Sequence, residues 1–101
     1  MTNNKINPES KVVPVMLEFY FADHCPYCVK VREYCEKAGI SYITRPVVVR
    51  TPDNEYGNEL IARAGKAQVP YMIDDSTGVE MYESEDILAH LKKHHVGRQQ
   101  G

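Results

Sequence analysis

The segment VPVMLEFYFADHCPYC, Val13 to Cys28, decides how the chain is read. Its first nine residues, Val13 to Phe21, are dense in β-branched and aromatic side chains and run into Ala22-Asp23-His24, the pattern of a buried strand ending in a loop. Pro26 suits the first position of a following helix, because its missing N–H would be unpaired there in any case. Gly39 suits the helix end, where a left-handed residue is often needed. The spacing therefore predicts a helix over Pro26 to Ala38. Within it Cys28, Val31, Tyr34, Cys35 and Ala38 recur at steps of three and four, while Lys30, Arg32, Glu33, Glu36 and Lys37 fill much of the rest, so the apolar stripe should face a sheet.

Working outward, Ile40 to Val49 is the second strand expected, and Pro46 within it is best tolerated on a sheet edge, where a missing ladder donor faces solvent. Thr51 to Gly57 reads as a loop and Asn58 as the cap of a short helix bearing Leu60, Ile61 and Ala64, stopped by Gly65. Val69 to Ile73 forms the third strand, Asp74 to Gly78 a tight turn and Val79 to Tyr82 the fourth strand. Ser84 to His95 closes the chain as a helix with Ile87, Leu88 and Leu91 on one face. The order is β-α-β-α-β-β-α, an α/β fold whose first β-α-β unit is long enough for a right-handed crossover between parallel strands. Residues 1–11 and 96–101 are expected to be loose tails around a single domain at 12–95.

Composition narrows the function classes. A chain of 101 residues, 43% apolar and 26% charged, fits one soluble domain, and a net charge of −2 gives no reason to expect a nucleic acid partner. The longest apolar stretch, Val12 to Ala22, is interrupted by Pro14 and Glu18 and falls well short of the roughly 20 residues that span a bilayer, so no membrane span is expected. Met1 to Lys11 is polar and carries no secretory pattern, which points to a cytoplasmic location. Three cysteines are an odd number, two of them close together. That usage argues for a catalytic or metal role rather than a secreted disulfide framework.

The chemistry concentrates at Cys25-Pro26-Tyr27-Cys28. A C-x-x-C pair that follows a strand and opens a helix is the setting of a redox dithiol. With Cys25 at the cap, its sulfur can accept hydrogen bonds from unpaired N–H groups of the first turn, and the positive helix end favours the ionised, attacking form. Cys28, one turn inside on the apolar stripe, is then the less exposed resolving sulfur. Cys35 lies seven residues further on, roughly 10 Å along the helix axis, too far to bridge Cys28, and reads as a small buried apolar residue. The pair alone is half a zinc site, and no second C-x-x-C completes it. His24, His90, His94 and His95 offer ligands in principle, but three of them sit near the far end of the last helix, so no metal is expected. His24 reads as an exposed loop residue, and His94 with His95 as a solvated helix end that favours the dipole.

With these residues placed, the sequence resembles a glutaredoxin over about residues 13–95. Cys25-Pro26-Tyr27-Cys28 matches that family's dithiol motif, and Val69-Pro70 falls where thioredoxin-like folds carry a cis-proline. Thr77-Gly78-Val79-Glu80-Met81-Tyr82-Glu83-Ser84 is similar instead to the N-terminal domain of glutathione transferases, which share the fold and hold glutathione with a Glu-Ser pair. The resemblance implies a thioredoxin-like fold with a four-stranded mixed sheet flanked by helices. It also implies a glutathione-dependent thiol-disulfide oxidoreductase, with Cys25 and Cys28 catalytic and glutathione as co-substrate. Val69 would offer its backbone to the tripeptide's cysteinyl part, with Pro70 in the cis form beside Cys25. Glu83, Ser84 and Glu85 would receive the γ-glutamyl end at the last helix's N-terminus, and Tyr27 would line the groove. Lys66, with Gln68 and Arg63 near it, would meet the glycine carboxylate. Many glutaredoxins place a lysine three residues before the first cysteine; here that position is Ala22, which leaves the ionised sulfur more dependent on the helix terminus.

The partners implied are glutathione and glutathionylated or disulfide-containing proteins, met by a monomer. Two other readings stand beside this one. Glu83-Ser84 and Tyr82 fit a stand-alone transferase-like domain that conjugates glutathione to electrophiles, although such transferases use a second, helical domain for which the chain has no residues left. A carrier holding an iron-sulfur cluster between two subunits through Cys25 and glutathione is the third, disfavoured because cluster carriers of the family usually have a single-cysteine motif.

Overall fold

The computed structural model describes residues 16–48 and 54–95. The tails expected at 1–11 and 96–101, the start of the strand expected from Val13, Val49 at the end of the second, and the first residues of the loop from Thr51 lie outside the described residues. Seven elements follow in order: β1 (Leu17–Phe21), α1 (Pro26–Ala38), β2 (Ile43–Pro46), α2 (Glu55–Ala64), β3 (Tyr71–Asp74), β4 (Val79–Tyr82) and α3 (Ser84–His94). They form a mixed four-stranded sheet in the order β2-β1-β3-β4, with β1 parallel to β2 and β3 antiparallel to both β1 and β4.

The period-two alternation of β1 divides the core. Leu17, Phe19 and Phe21 point to one face, where they pack with Met72 of β3, Cys28, Val31 and Cys35 of α1, and Ile87 and Leu91 of α3. Tyr20 points to the other face with Tyr71, Ile73, Val47 and Leu60 of α2. Tyr20 is fully buried, and its hydroxyl is satisfied by donating to Glu59 at 2.5 Å. The expected stripe of α1 faces the sheet as read: Cys28, Val31, Cys35 and Ala38 are buried and Tyr34 packs partly against them. Gly39 closes α1 in the left-handed region at φ 71°, and the N–H of Ile40 returns to the Cys35 carbonyl at 2.9 Å.

Several element boundaries differ from the sequence reading. Within the described residues β1 begins at Leu17, β2 begins at Ile43 rather than Ile40 and ends at Pro46, and β3 is Tyr71–Asp74 instead of Val69–Ile73. Helix α3 ends at His94. The cap of α2 is Asn54, not Asn58, which lies inside the helix. Asn54 Oδ1 accepts the Gly57 N–H at 3.1 Å and the Val48 N–H at 2.9 Å, so one side chain both starts α2 and fastens the segment after β2. Gly57 leaves room for it, since a Cβ there would stand 2.5 Å from the Asn54 Cγ. Leu60 is buried as expected, whereas Ile61 is 48% exposed, because the sheet meets only one edge of so short a helix. As read from Pro46, β2 is an edge strand.

Asn54→Ala removes the shared acceptor and should cost about 1–2 kcal/mol in urea unfolding; an unchanged midpoint would show the cap to be dispensable. Cys35 is wholly buried, and that burial pushes its thiol from the ordinary 9.0 up to about 12. The unfolded chain therefore ionises Cys35 first as pH rises. The stability it contributes is fully present below pH 9 and is lost between there and about 12, on the order of 4 kcal/mol at most. Under reducing conditions the stability gap between wild type and Cys35→Ala should shrink across that window; a constant gap would contradict the burial argument.

Candidate active site

Strand β1, interior to the sheet, ends at Phe21, and Ala22 to His24 turn the chain into α1. His24 carries the turn at φ 58°, a left-handed conformation uncommon for a residue with a side chain. Cys25 is the N-cap of α1: its backbone is extended, at φ −103° and ψ 107°, and its sulfur accepts the Cys28 N–H at 3.3 Å. One orphan donor of the first helical turn, the Cys28 N–H, thus faces the sulfur, and Pro26 in the first turn adds no competing N–H. Cys25 is half-buried, while Cys28 and Cys35 are not exposed at all. Burial, and after it the hydrogen bond to Cys25, push the Cys28 thiol well up from its ordinary range. At neutral pH Cys28 is a protonated thiol one turn behind an accessible sulfur.

Two hollows flank this corner. One, of about 370 Å³, is walled by Tyr27, Gln68, Val69, Pro70, Glu83, Ser84 and Glu85. It collects seven of the expected ligand-binding residues, drawn from the start of α1, the segment before β3 and the start of α3. The Val69–Pro70 bond is cis. Tyr27 is 60% exposed, an aromatic ring standing free at the rim. Gln68 donates to Glu83 at 3.1 Å across the hollow. Helix α3 opens with no side-chain cap on its first-turn N–H groups, so these donors remain available beside Ser84 and Glu85. Glu83, before them, holds φ 75° and ψ 114°, a second uncommon conformation at the same site.

Lys66 and Arg63 are placed elsewhere. The Lys66 ammonium lies 5.0 Å from the Tyr82 ring centroid, and its carbonyl accepts the Tyr82 hydroxyl at 2.7 Å, so it is not among the walls of the hollow. Arg63 is held in a two-pronged pair by Glu80 at 2.9 and 2.6 Å. Lys30, which sequence reasoning passed over as part of the polar face of α1, instead pairs with Glu85 and ties the starts of α1 and α3 together. The second hollow, about 240 Å³, includes Ala22, Asp23, His24, Arg32 and Thr44 among its walls. No sequence signal marked it, because Arg32 and Thr44 come from two elements brought side by side only by the fold.

The thiol environments give a direct test. In the native chain at neutral pH, iodoacetamide should label Cys25 at least about tenfold faster than Cys28 or Cys35, with the second and third adducts appearing in mass spectra only after denaturation. Equal labelling of all three would contradict the burial described.

Comparison with known proteins agrees with this geometry. The family model for the glutathione S-transferase N-terminal domain matches residues 19–99. No curated protein matches the chain. Among solved structures, glutaredoxin 2 from Salmonella typhimurium in complex with glutathione superposes with a TM-score of 0.59 at 24% identity, over 74% of this chain and 32% of that one. Glutathione transferase Omega 3C from Trametes versicolor gives 0.63 at 25% identity, over 80% and 34%. Wheat glutaredoxin gives 0.60 at 21% identity, over 79% and 73%. The chain thus spans about a third of the length of the Salmonella and Trametes proteins. The sheet, its three helices and the match over residues 19–99 place the chain in the glutathione S-transferase N-terminal domain family, with a thioredoxin-like fold.

Proposed function

We propose that the chain is a glutathione-dependent thiol-disulfide oxidoreductase of the dithiol glutaredoxin type. The observation that carries this reading is the Cys25 sulfur, half-buried at the cap of α1 and hydrogen-bonded by the Cys28 N–H, next to Tyr27 at the rim of the hollow. Glutathione would lie in that hollow, its γ-glutamyl carboxylate at the open start of α3 by Ser84 and its cysteinyl backbone along Val69, beside Pro70. Tyr27, Gln68, Glu83 and Glu85 complete the walls. The Salmonella glutaredoxin 2 solved with glutathione, which shares the fold, supports the choice of tripeptide.

The reaction is a pair of sulfur exchanges. Cys25, as thiolate, attacks the glutathione sulfur of a mixed disulfide; the S–S bond breaks and the target leaves as a thiolate that takes a proton from water. A second glutathione thiolate then attacks the sulfur that Cys25 has captured, releasing oxidised glutathione and the Cys25 thiolate. With a protein disulfide as target, Cys28 loses its proton and displaces the reduced protein, leaving a Cys25–Cys28 disulfide for two glutathiones to reduce. Buried and protonated at neutral pH, Cys28 enters only in that last case.

In a coupled assay of a glutathionylated peptide, Cys25→Ser should lower the rate at least about 10²-fold, while Cys28→Ser keeps most of it. Full activity of the Cys25→Ser chain would rule the mechanism out. A second reading, conjugation of glutathione to an electrophile, is favoured by the family match itself. Conjugation of a model electrophile faster than disulfide reduction, undiminished in Cys25→Ser, would select it.

A further inference from the structure

At the end of the sheet opposite Cys25, three side chains converge on one buried point. Asp74 ends β3, pairs across the sheet with Leu17 at the start of β1, and is wholly buried. About 13 Å of strand therefore lies between this point and the end of β1 at Phe21. His90 Nε2 and His95 Nε2 each lie 2.7 Å from the same Asp74 oxygen, Oδ2. The other oxygen, Oδ1, is fixed by the Ser76 N–H at 3.0 Å and the Ser76 hydroxyl at 2.6 Å. His90 is buried, and His95 retains 22% side-chain exposure. This arrangement differs from the solvated helix end that the sequence suggested for His95.

The backbone explains how the two rings meet. Residues five apart on a helix point in different directions. His90 lies within α3, but His95 is its C-cap, at φ −131° and ψ 85°, and this extended backbone brings the second ring to the same oxygen. To pin the end of α3 onto β3 would take one imidazole. Here two ring tips and a carboxylate whose orientation Ser76 holds stand with their ligand atoms within 4.8 Å of one another.

We infer that Asp74, His90 and His95 form a binding site for one divalent transition-metal ion of the zinc type. Two imidazole nitrogens and one carboxylate oxygen are a borderline donor set, suited to zinc, cobalt or nickel rather than to magnesium or calcium, which favour all-oxygen shells. Ligand bonds of about 2.0–2.2 Å in a tetrahedral shell put donors about 3.3 Å apart, so the two N···O contacts need open by only about 0.6 Å to admit the ion. Each neutral ring shifts its proton from Nε2 to Nδ1 as Nε2 takes the metal, and an imidazolium ring releases one proton to solvent. Three protein ligands leave the fourth position to water, reached past His95.

The test uses the full chain carrying Cys25→Ser and Cys28→Ser, since the thiols bind zinc themselves. Calorimetry should find one zinc ion per chain, and the cobalt adduct should show ligand-field bands without a thiolate charge-transfer band. Adding His95→Ala, at a partly exposed position, should weaken zinc binding at least about tenfold, and Asp74→Asn should do the same, each in a preparation with native circular dichroism. Failure of the Cys25→Ser, Cys28→Ser chain to take up either ion, or unchanged affinity in His95→Ala, would overturn the assignment.

Discussion

Strand β1 must be covered on both faces, and that constraint settles most of what surrounds it. Leu17, Phe19, Tyr20 and Phe21 are each at most 2% exposed, so the strand needs a layer on each side and a partner along each edge. α1 and α3 supply one layer, α2 the other, and β2 and β3 the edges. Each large side chain contributes roughly 2–3 kcal/mol on burial, which makes any slip by one residue prohibitive because it would exchange the two faces. With the register fixed, the chain can leave β1 only at Phe21, and it does so directly into the cap of α1.

That exit brings two helix starts to one corner. α1 and α3 lie on the same face of the sheet, and their N-termini share the hollow beside Tyr27 and Ser84. Adjacent positive helix ends repel each other mildly and attract anions. The Lys30–Glu85 pair bridges the two helices on the exposed side, and the Cys25 sulfur receives the first-turn N–H of α1. Among the described residues, the two non-glycine residues at positive φ, His24 and Glu83, each stand at one of these helix starts. Such conformations cost on the order of 1–3 kcal/mol each, and here they are what turns the chain sharply enough to aim both helix starts at one space.

What could be read from the sequence depended on local signals. Pro26 and Gly39 mark α1 to the residue, and the run Val79–Tyr82 followed by Ser84 marks β4 and α3 because turn chemistry and periodicity coincide there. The walls of the hollow were reached through resemblance, and seven of the eight expected binding residues meet in it. The remaining one, Lys66, was placed by its charge. Charge does not reveal that the Tyr82 ring, 16 positions away, offers the ammonium a nearer seat. The cap of α2 was misplaced for a similar reason: Asn54 and Asn58 are equivalent to a local pattern, and only the Val48 N–H, supplied by the segment after β2, selects the first. His90 and His95 stand out in the sequence only as ligands in principle, since their meaning lies in Asp74 on β3.

The choice between disulfide exchange and conjugation then turns on what faces the tripeptide's sulfur. A conjugating site must keep that sulfur ionised and free, using donors that cannot themselves react with it. A cysteine in the same place is a competitor: in the presence of any disulfide it captures the glutathione sulfur covalently, and the captured form is an intermediate for exchange but a dead end for conjugation. Cys28, buried and held protonated one turn behind, would strengthen the asymmetry in that reading, because it could release Cys25 from a bound protein yet do nothing to activate a second thiol. In the proposed reading, the sulfur at position 25 would direct the chemistry of such a hollow toward exchange.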